Sequence, residues 1–378
     1  MMMKILSTVG LFIVCFGFII SFQSCSKNSE NEPIFQADFT FAPTGAEVGV
    51  SVKFTNTTLS TLKNTYSWNF GDGTTSSKEN PDHVYKKVGN YLIVFTVTNP
   101  NGDFTISSKE LMVSYSNDID GRVGLRKYLE NLNRNILICA HRAYHINSPE
   151  NSLAAINDAI KENIAMVEID IRQTKDGELV LLHDKSLNRT TNGSGNVNEL
   201  TFQKVIQYNL LHQNKLTSQL IPSLKEVLEL AKGKIYIDLD VKIENFLKVY
   251  KLIRFYGMVN QVMFTVDDIA TAKSLIANDE QTILMPIVRN QSDFDRYTMA
   301  NLNLSVLHYT SGSLYADLID QAHSKKLSVF KLVYVNSSTT PDSDSYKQIL
   351  KLIDMKVNIV QTDFPVKVKA YLEAKNLN

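Results

Sequence analysis

Cys139-Ala140-His141-Arg142, Glu168-Ile169-Asp170, Leu182-His183-Asp184 and Asp240-Val241-Lys242 each close a short, largely apolar run. An unpaired charge is costly to bury, so ionisable side chains gathered at such ends need a shared cause. Residues two apart on a strand face the same side. Glu168 therefore converges with Asp170, and Asp240 with Lys242. Three carboxylates around one mouth form a hard oxygen donor set suited to one divalent cation, Mg²⁺ or Ca²⁺. No Cys/His cluster has zinc spacing. Arg142 and Lys242 place two cations beside the carboxylates, a mixture that favours an anion, phosphate first. His141 and His183 add imidazoles, the side chains suited to moving protons near neutral pH. Ion pairing at a structural rim accounts for any one of these residues, but poorly for all of them on successive strand ends.

Strands and helices must alternate to bring those ends together. Strand patterns fall at Ile136–His141, Met166–Ile171, Lys234–Val241, Gln261–Val266, Thr282–Val288, Leu304–Tyr309, Leu327–Val335 and Val357–Thr362. Helical spacing follows each, over Ser152–Asn163, Ser223–Lys232, Glu244–Tyr256, Ile269–Asn278, Ser292–Ala300, Leu314–Lys325, Ser343–Met355 and Val366–Lys375. That alternation predicts an α/β fold, a (β/α)₈ TIM barrel with its site at the carboxyl ends of the strands. A doubly wound sheet is the alternative. The stretch 178–220 breaks the alternation with a short strand at Leu179–Leu182 and a polar loop, a small insertion expected to cap the catalytic face. Asp238 is expected to be a deeper, hydrogen-bonded carboxylate and Cys139 a small buried strand residue. His145 is a candidate for the mouth. The facing of His308 and Lys331 is open, with a satisfied structural role expected for both.

The motifs His141-Arg142-Ala143, Pro149-Glu150-Asn151-Ser152, Glu168-Ile169-Asp170, His183-Asp184, Arg189-Thr190-Thr191-Asn192-Gly193, Ile221-Pro222-Ser223-Leu224 and Gln361-Thr362-Asp363-Phe364-Pro365 occur in this order. As a set they resemble the glycerophosphodiester phosphodiesterase family, from about residue 135 to the C-terminus. The resemblance implies a (β/α)₈ barrel with a small insertion and a phosphoric diester hydrolase releasing glycerol 3-phosphate and an alcohol. It implies catalytic roles for His141 and His183, phosphate contacts from Arg142 and Lys242, and metal ligands at Glu168, Asp170 and Asp240. Three positions depart from the family. Ala143 stands where Gly is usual, Asp240 where Glu is usual, and Val333-Tyr334-Val335-Asn336 where Trp-Thr-Val-Asn is usual, so that Val333 replaces the aromatic. The Asp-x-Lys at 240–242 is similar to the sphingomyelinase D-like branch, whereas Pro149-Glu150-Asn151 and Arg189-Thr190-Thr191 favour the glycerophosphodiesterase branch. The rival functions are a related lipid phosphodiesterase, of lysophospholipase D or phospholipase C type, and a non-enzymatic surface binding protein over a degenerate barrel.

A different pattern precedes the barrel. Short period-two runs such as Val50-Ser51-Val52-Lys53-Phe54 and Tyr91-Leu92-Ile93-Val94-Phe95 alternate with turn residues, which predicts an all-β sandwich. Trp68-Asn69-Phe70-Gly71-Asp72-Gly73, Asn80-Pro81-Asp82-His83-Val84-Tyr85, Gly89, Tyr91 and Thr96-Val97-Thr98-Asn99 resemble the PKD domain, an immunoglobulin-like sandwich. Trp68 and Tyr85 are expected in its core and His83 at a loop, with a carbohydrate or protein ligand as the functional alternative. At the start, Val9–Ile20 is uncharged and apolar after Lys4, and Ser24-Cys25 follows. This has the form of an export signal and resembles a bacterial lipoprotein processing site, with Cys25 as the lipidated residue. The expected organisation is a signal over 1–24, a tether over 25–34, the sandwich over 35–115, a linker and helix over 116–134 and the barrel over 135–378. Export and lipid anchoring to a cell-envelope membrane follow as expectations. The 378 residues carry 39 Lys+Arg against 39 Asp+Glu, a balance that argues against a general nucleic-acid binder. Lipidation would consume Cys25 and leave Cys139 alone, so no disulfide framework is expected.

Overall fold

The computed structural model describes residues 35–60, 63–114, 124–132, 136–310, 316–333, 344–375 and 377; within the helix that begins at Asp344, side chains are described from 347 onward. The signal, Cys25, the tether and the segment 334–336 lie outside these residues. No described helix is long and apolar enough to cross a membrane.

Alternation of buried and exposed residues builds the N-terminal domain. A three-stranded sheet (Phe39–Ala42, Ser51–Asn56, Asp82–Val84) faces a larger one whose main strands are Thr65–Asn69, Gly89–Thr98 and Phe104–Ser114. Phe39, Phe54, Trp68, Phe70, Tyr85 and Phe95 are buried between them. Trp68 and Phe95 stack with ring centroids 3.9 Å apart. The polar tips of this core are satisfied: Trp68 Nε1 donates to Lys78 O at 2.9 Å and the Tyr85 hydroxyl to Phe70 O at 3.0 Å. Gly71 has a positive φ of 79°, and a Cβ there would stand 2.8 Å from Leu92 O. Only glycine fits that turn.

The second domain is a closed barrel. Its strands are β1 (Leu137–Ala140), β2 (Met166–Gln173), β3 (Tyr236–Val241), β4 (Val262–Val266), β5 (Ile283–Val288), β6 (Val306–Tyr309), β7 (Ser328–Leu332) and β8 (Ile359–Thr362). All neighbours are parallel, and β1 pairs with both β8 and β2. Closure excludes the doubly wound alternative. Outside run α1 (Leu153–Lys161), α2 (Leu224–Ala231), α3 (Phe246–Phe255), α4 (Ile269–Asn278), α5 (Gln291–Thr298), α6 (Ala316–Ser324), α7 (Asp344–Asp354) and α8 (Pro365–Ala374). Local sequence sets the helix starts: Ser152 caps α1, and Ser223 forms a reciprocal capping box with Glu226 on α2.

Following the register around the barrel stacks lumen side chains in layers drawn from alternate strands. Met166, Met263, Val306 and Ile359 form an apolar floor. The helix Leu125–Glu130, expected between the linker and the barrel, buries Leu125 and Leu129 against this end of the barrel. Above come Cys139, Asp238, Met285 and Phe330, then Glu168, Thr265, His308 and Gln361, then His141 and Asp240, and at the rim Asp170 and Asp363. The lumen thus changes from hydrocarbon to carboxylate along its axis. The insertion supplies Leu179–Leu181, antiparallel to β2, and the hairpin Asn209–His212/Lys215–Leu220.

Candidate active site

The strand ends bring the expected residues to one mouth. Oxygens of Glu168, Asp170 and Asp240 lie within 4.8 Å of one another. Glu168 and Asp170 are 4% and 1% exposed, so water cannot screen them. Burial, and then the neighbouring Asp170, Asp238 and Asp240, push the Glu168 carboxyl well above its usual range. A chain without a cation must hold this group protonated or bear the repulsion. An all-oxygen donor set with that electrostatic excess fits a hard divalent cation, and no soft ligand is among the three. Asp238 lies one layer down and accepts from the Thr265 hydroxyl at 2.9 Å. Burial, the main cause, pushes it up to about 8. It is the buried, hydrogen-bonded carboxylate expected.

Two cations border the triad. Lys242 Nζ contacts Asp240 and lies 3.2 Å from Asp170 Oδ1. Burial lowers its pKa, but Asp240 and Asp170 more than offset this, and the ammonium is kept charged. Arg142 follows β1 in a left-handed turn, with φ of 52° there and 63° at Ala143. The glycine usual at 143 would be free of that strain. The turn is held from β2: Arg142 N donates to Glu168 Oε2 at 2.8 Å and Ala143 N to Glu168 O at 2.9 Å. One guanidinium arm reaches Glu150 Oε1 at 3.1 Å, while the buried Nε has no hydrogen-bond partner among the described residues.

Each histidine is gripped at Nδ1 by a carboxylate: His141 by Asp363 and His183 by Asp184, both at 2.8 Å. With Nδ1 protonated toward the carboxylate, Nε2 is left as the reactive nitrogen. Arg189 fastens the second pair, bonding Asp184 through Nε at 2.7 Å and Glu150 through both terminal nitrogens at 2.8 and 2.7 Å. Arg189, the largest cause, pulls Asp184 down to about 2. Arg172 donates twice to His183 O, at 3.0 and 2.6 Å. Asn151, itself at φ 54°, donates to Asp170 Oδ2 at 2.8 Å and accepts from Asp170 N at 3.0 Å. Glu150, Asn151, Asp184, Arg189 and Asp363 all lay inside the motifs quoted above, but sequence reasoning assigned them no role. Arg172 carried no signal.

His145 does line the mouth. It borders a cavity of about 450 Å³ with Glu150, Arg189, Leu211, His212 and Phe364, so the insertion hairpin does overhang the site. Cys139 is buried, and burial pushes its thiol well up. Lys331 turns outward from the lumen and donates to Tyr309 O at 3.2 Å, the structural role expected. His308 departs from expectation: it faces the lumen, and its Nδ1 is buried without a partner among the described residues. In the sandwich, His83 stacks on Phe70 and bonds Asp72 at 2.8 Å, closing a loop.

Comparison with known proteins agrees with this architecture. A glycerophosphodiester phosphodiesterase from Bacillus altitudinis is 27% identical over 241 residues, covering 60% of this chain and 94% of the relative. Among solved structures, a glycerophosphoryl diester phosphodiesterase from Parabacteroides distasonis superposes with a TM-score of 0.61 at 24% identity, covering 66% of this chain and 92% of the other. An Oleispira antarctica phosphodiesterase, solved with the product sn-glycerol-3-phosphate, gives a TM-score of 0.54 at 20% identity, over 63% and 97% of the two chains. At these identities the two structures bear on the fold alone. The PKD domain model matches residues 31–113. The model of the glycerophosphoryl diester phosphodiesterase family matches residues 141–367, more than half of the chain. With the barrel, the carboxylate triad and the two carboxylate-held histidines at one mouth, the chain belongs to the glycerophosphoryl diester phosphodiesterase family, and so to the phosphoric diester hydrolases.

Proposed function

We propose that this protein hydrolyses glycerophosphodiesters to glycerol 3-phosphate and an alcohol, with one divalent cation held by Glu168, Asp170 and Asp240. The observation that carries the reading is the juxtaposition of that triad with Arg142, whose buried Nε has no hydrogen-bond partner among the described residues and lies 4.0 Å from Asp170 Oδ2, and with two histidines anchored at Nδ1. The cation, Mg²⁺ or Ca²⁺, would neutralise phosphate charge as the transition state develops. Arg142 and Lys242 hold non-bridging phosphate oxygens. Asp363 and Asp184 orient the imidazoles. Nε2 of one takes the proton from the nucleophile, water or a substrate hydroxyl, as the new P–O bond forms. Nε2 of the other donates a proton to the leaving alkoxide as the old P–O bond breaks.

The Asp at 240, one methylene shorter than the usual Glu, keeps a lipid phosphodiesterase as the second reading. A panel of glycerophosphodiesters and lysophospholipids, assayed for head-group release with and without divalent metal, separates the two. Metal-dependent turnover of glycerophosphocholine supports the first. Turnover confined to lipids replaces it, and no turnover on any substrate leaves the binding-protein reading.

The proposal includes export and lipid attachment at Cys25, supported by the apolar run 9–20 and Ser24-Cys25. Labelling with a radioactive fatty acid, lost in Cys25→Ser, tests it. For the PKD domain we retain a carbohydrate or protein ligand as the candidate partner, to be sought by glycan array with the full chain.

A further inference from the structure

His308 lies in the lumen layer of Glu168, Thr265 and Gln361. In a closed eight-stranded sheet β6 stands opposite β2, so His308 faces the carboxylate triad across the mouth. The Phe330 ring braces the imidazole, with centroids 4.8 Å apart and planes at 62°. The side chain is only partly covered, and Nδ1 is fully buried without a hydrogen-bond partner among the described residues. A residue that only filled the lumen would be apolar, as Met285 and Phe330 are in the layer below. Leaving an imidazole nitrogen unpaired in a buried layer is unfavourable, a cost that a side chain placed only to fill space would avoid; a ligand entering from the mouth meets the part of the ring that is not covered. Burial, and then Lys331 and Arg289, push His308 down to about 4. It is neutral at neutral pH and both donates and accepts, as reading a hydroxyl requires.

We infer that His308 is a specificity-determining residue that hydrogen-bonds a free hydroxyl of the substrate's glycerol, while the phosphate lies opposite, among Arg142, Lys242 and the triad. This rests on the glycerophosphodiesterase reading. It assigns the selection of the polyol to β6.

The test compares the full-length wild type with His308→Phe and His308→Gln, in Mg²⁺, on glycerophosphocholine and on bis(p-nitrophenyl) phosphate, which has no aliphatic hydroxyl. His308→Phe should raise KM for glycerophosphocholine about tenfold with little change in kcat, the loss of one polar contact. It should leave kcat/KM on the aryl diester within about twofold, and His308→Gln should recover most of the loss. Inhibition by glycerol 3-phosphate should weaken in step with KM, and inhibition by inorganic phosphate should not. Should the Phe variant fail to fold, His308→Leu replaces it. Equal losses on both substrates, or no loss on either, overturn the inference. A wild type that cleaves the aryl diester but no glycerophosphodiester overturns the proposed activity, and the inference with it.

Discussion

His83 in the sandwich and His141 in the barrel each lie 2.8 Å from an aspartate, and the two pairs do different work. His83 bonds Asp72 through Nε2 and lies flat on Phe70, 4.1 Å away. Its outer nitrogen is spent and its ring face covered, so the pair closes a turn. His141 bonds Asp363 through Nδ1, so its Nε2 is not the nitrogen that the carboxylate holds. The difference extends to the surroundings. The sandwich core is aromatic, and its polar tips end on backbone carbonyls. The upper barrel buries Glu168, Asp170 and Asp238 side by side. One domain spends its polar groups on its own fold, and the other holds them ready for a ligand.

The sharpest way to break this comparison is paired mutation. His141→Ala should lower kcat on glycerophosphocholine by about 10²–10⁴-fold, the range for a general acid or base, with thermal unfolding unchanged. His83→Ala should leave kcat alone and cost the sandwich about 1 kcal/mol, read by calorimetry. Wild-type-like turnover by His141→Ala would sink the assignment.

Next comes the carboxylate cluster. Glu168→Gln should abolish metal-dependent turnover and yet stabilise the metal-free protein, because it removes a repelled, buried charge. A midpoint raised by about 2–4 °C corresponds to about 1 kcal/mol for a domain of this size. Thermal melts in chelator, with and without added Mg²⁺, check both halves. A lowered metal-free midpoint would show that the cluster is structural.

A smaller effect separates the pairs by pH. Arg189 holds Asp184 down to about 2. A depressed carboxylate contributes stability above its unfolded value, near 4, and loses it as pH falls through the folded value. Asp184→Asn should therefore flatten the stability profile between about pH 4 and 2. Acid titration of the variant against wild type, followed by circular dichroism, measures the slope; parallel profiles refute the linkage.

The least effect is expected at Ala143. Glycine there relieves a φ of 63° but removes a buried methyl. The two terms are each about 1 kcal/mol and oppose, so Ala143→Gly should change stability by less than about 1 kcal/mol and leave turnover near wild type. A large gain in kcat would mean that the tight turn limits this enzyme.

Much of this was present in the order of residues. Period-two and period-3.6 patterns placed each described barrel strand and its helix, because backbone geometry alone sets which side a residue faces. The same rule brought Glu168 to Asp170, and the alternation of strands and helices brought Asp240 beside them. Serine caps at 152 and 223 were equally local. Closure decided the rest. His141 and Asp363 are 222 residues apart, and they meet only because β8 pairs with β1. Nothing along the chain shows which nitrogen of a histidine is held. The facing of His308 and Lys331 follows from a register that accumulates strand by strand around the barrel, so no segment of sequence contains it. The sequence determined the elements and the kinds of side chain at their ends, because those depend on near neighbours; the tertiary structure decided which of those side chains share a charge, a proton or a void, because that depends on contacts across the closed sheet.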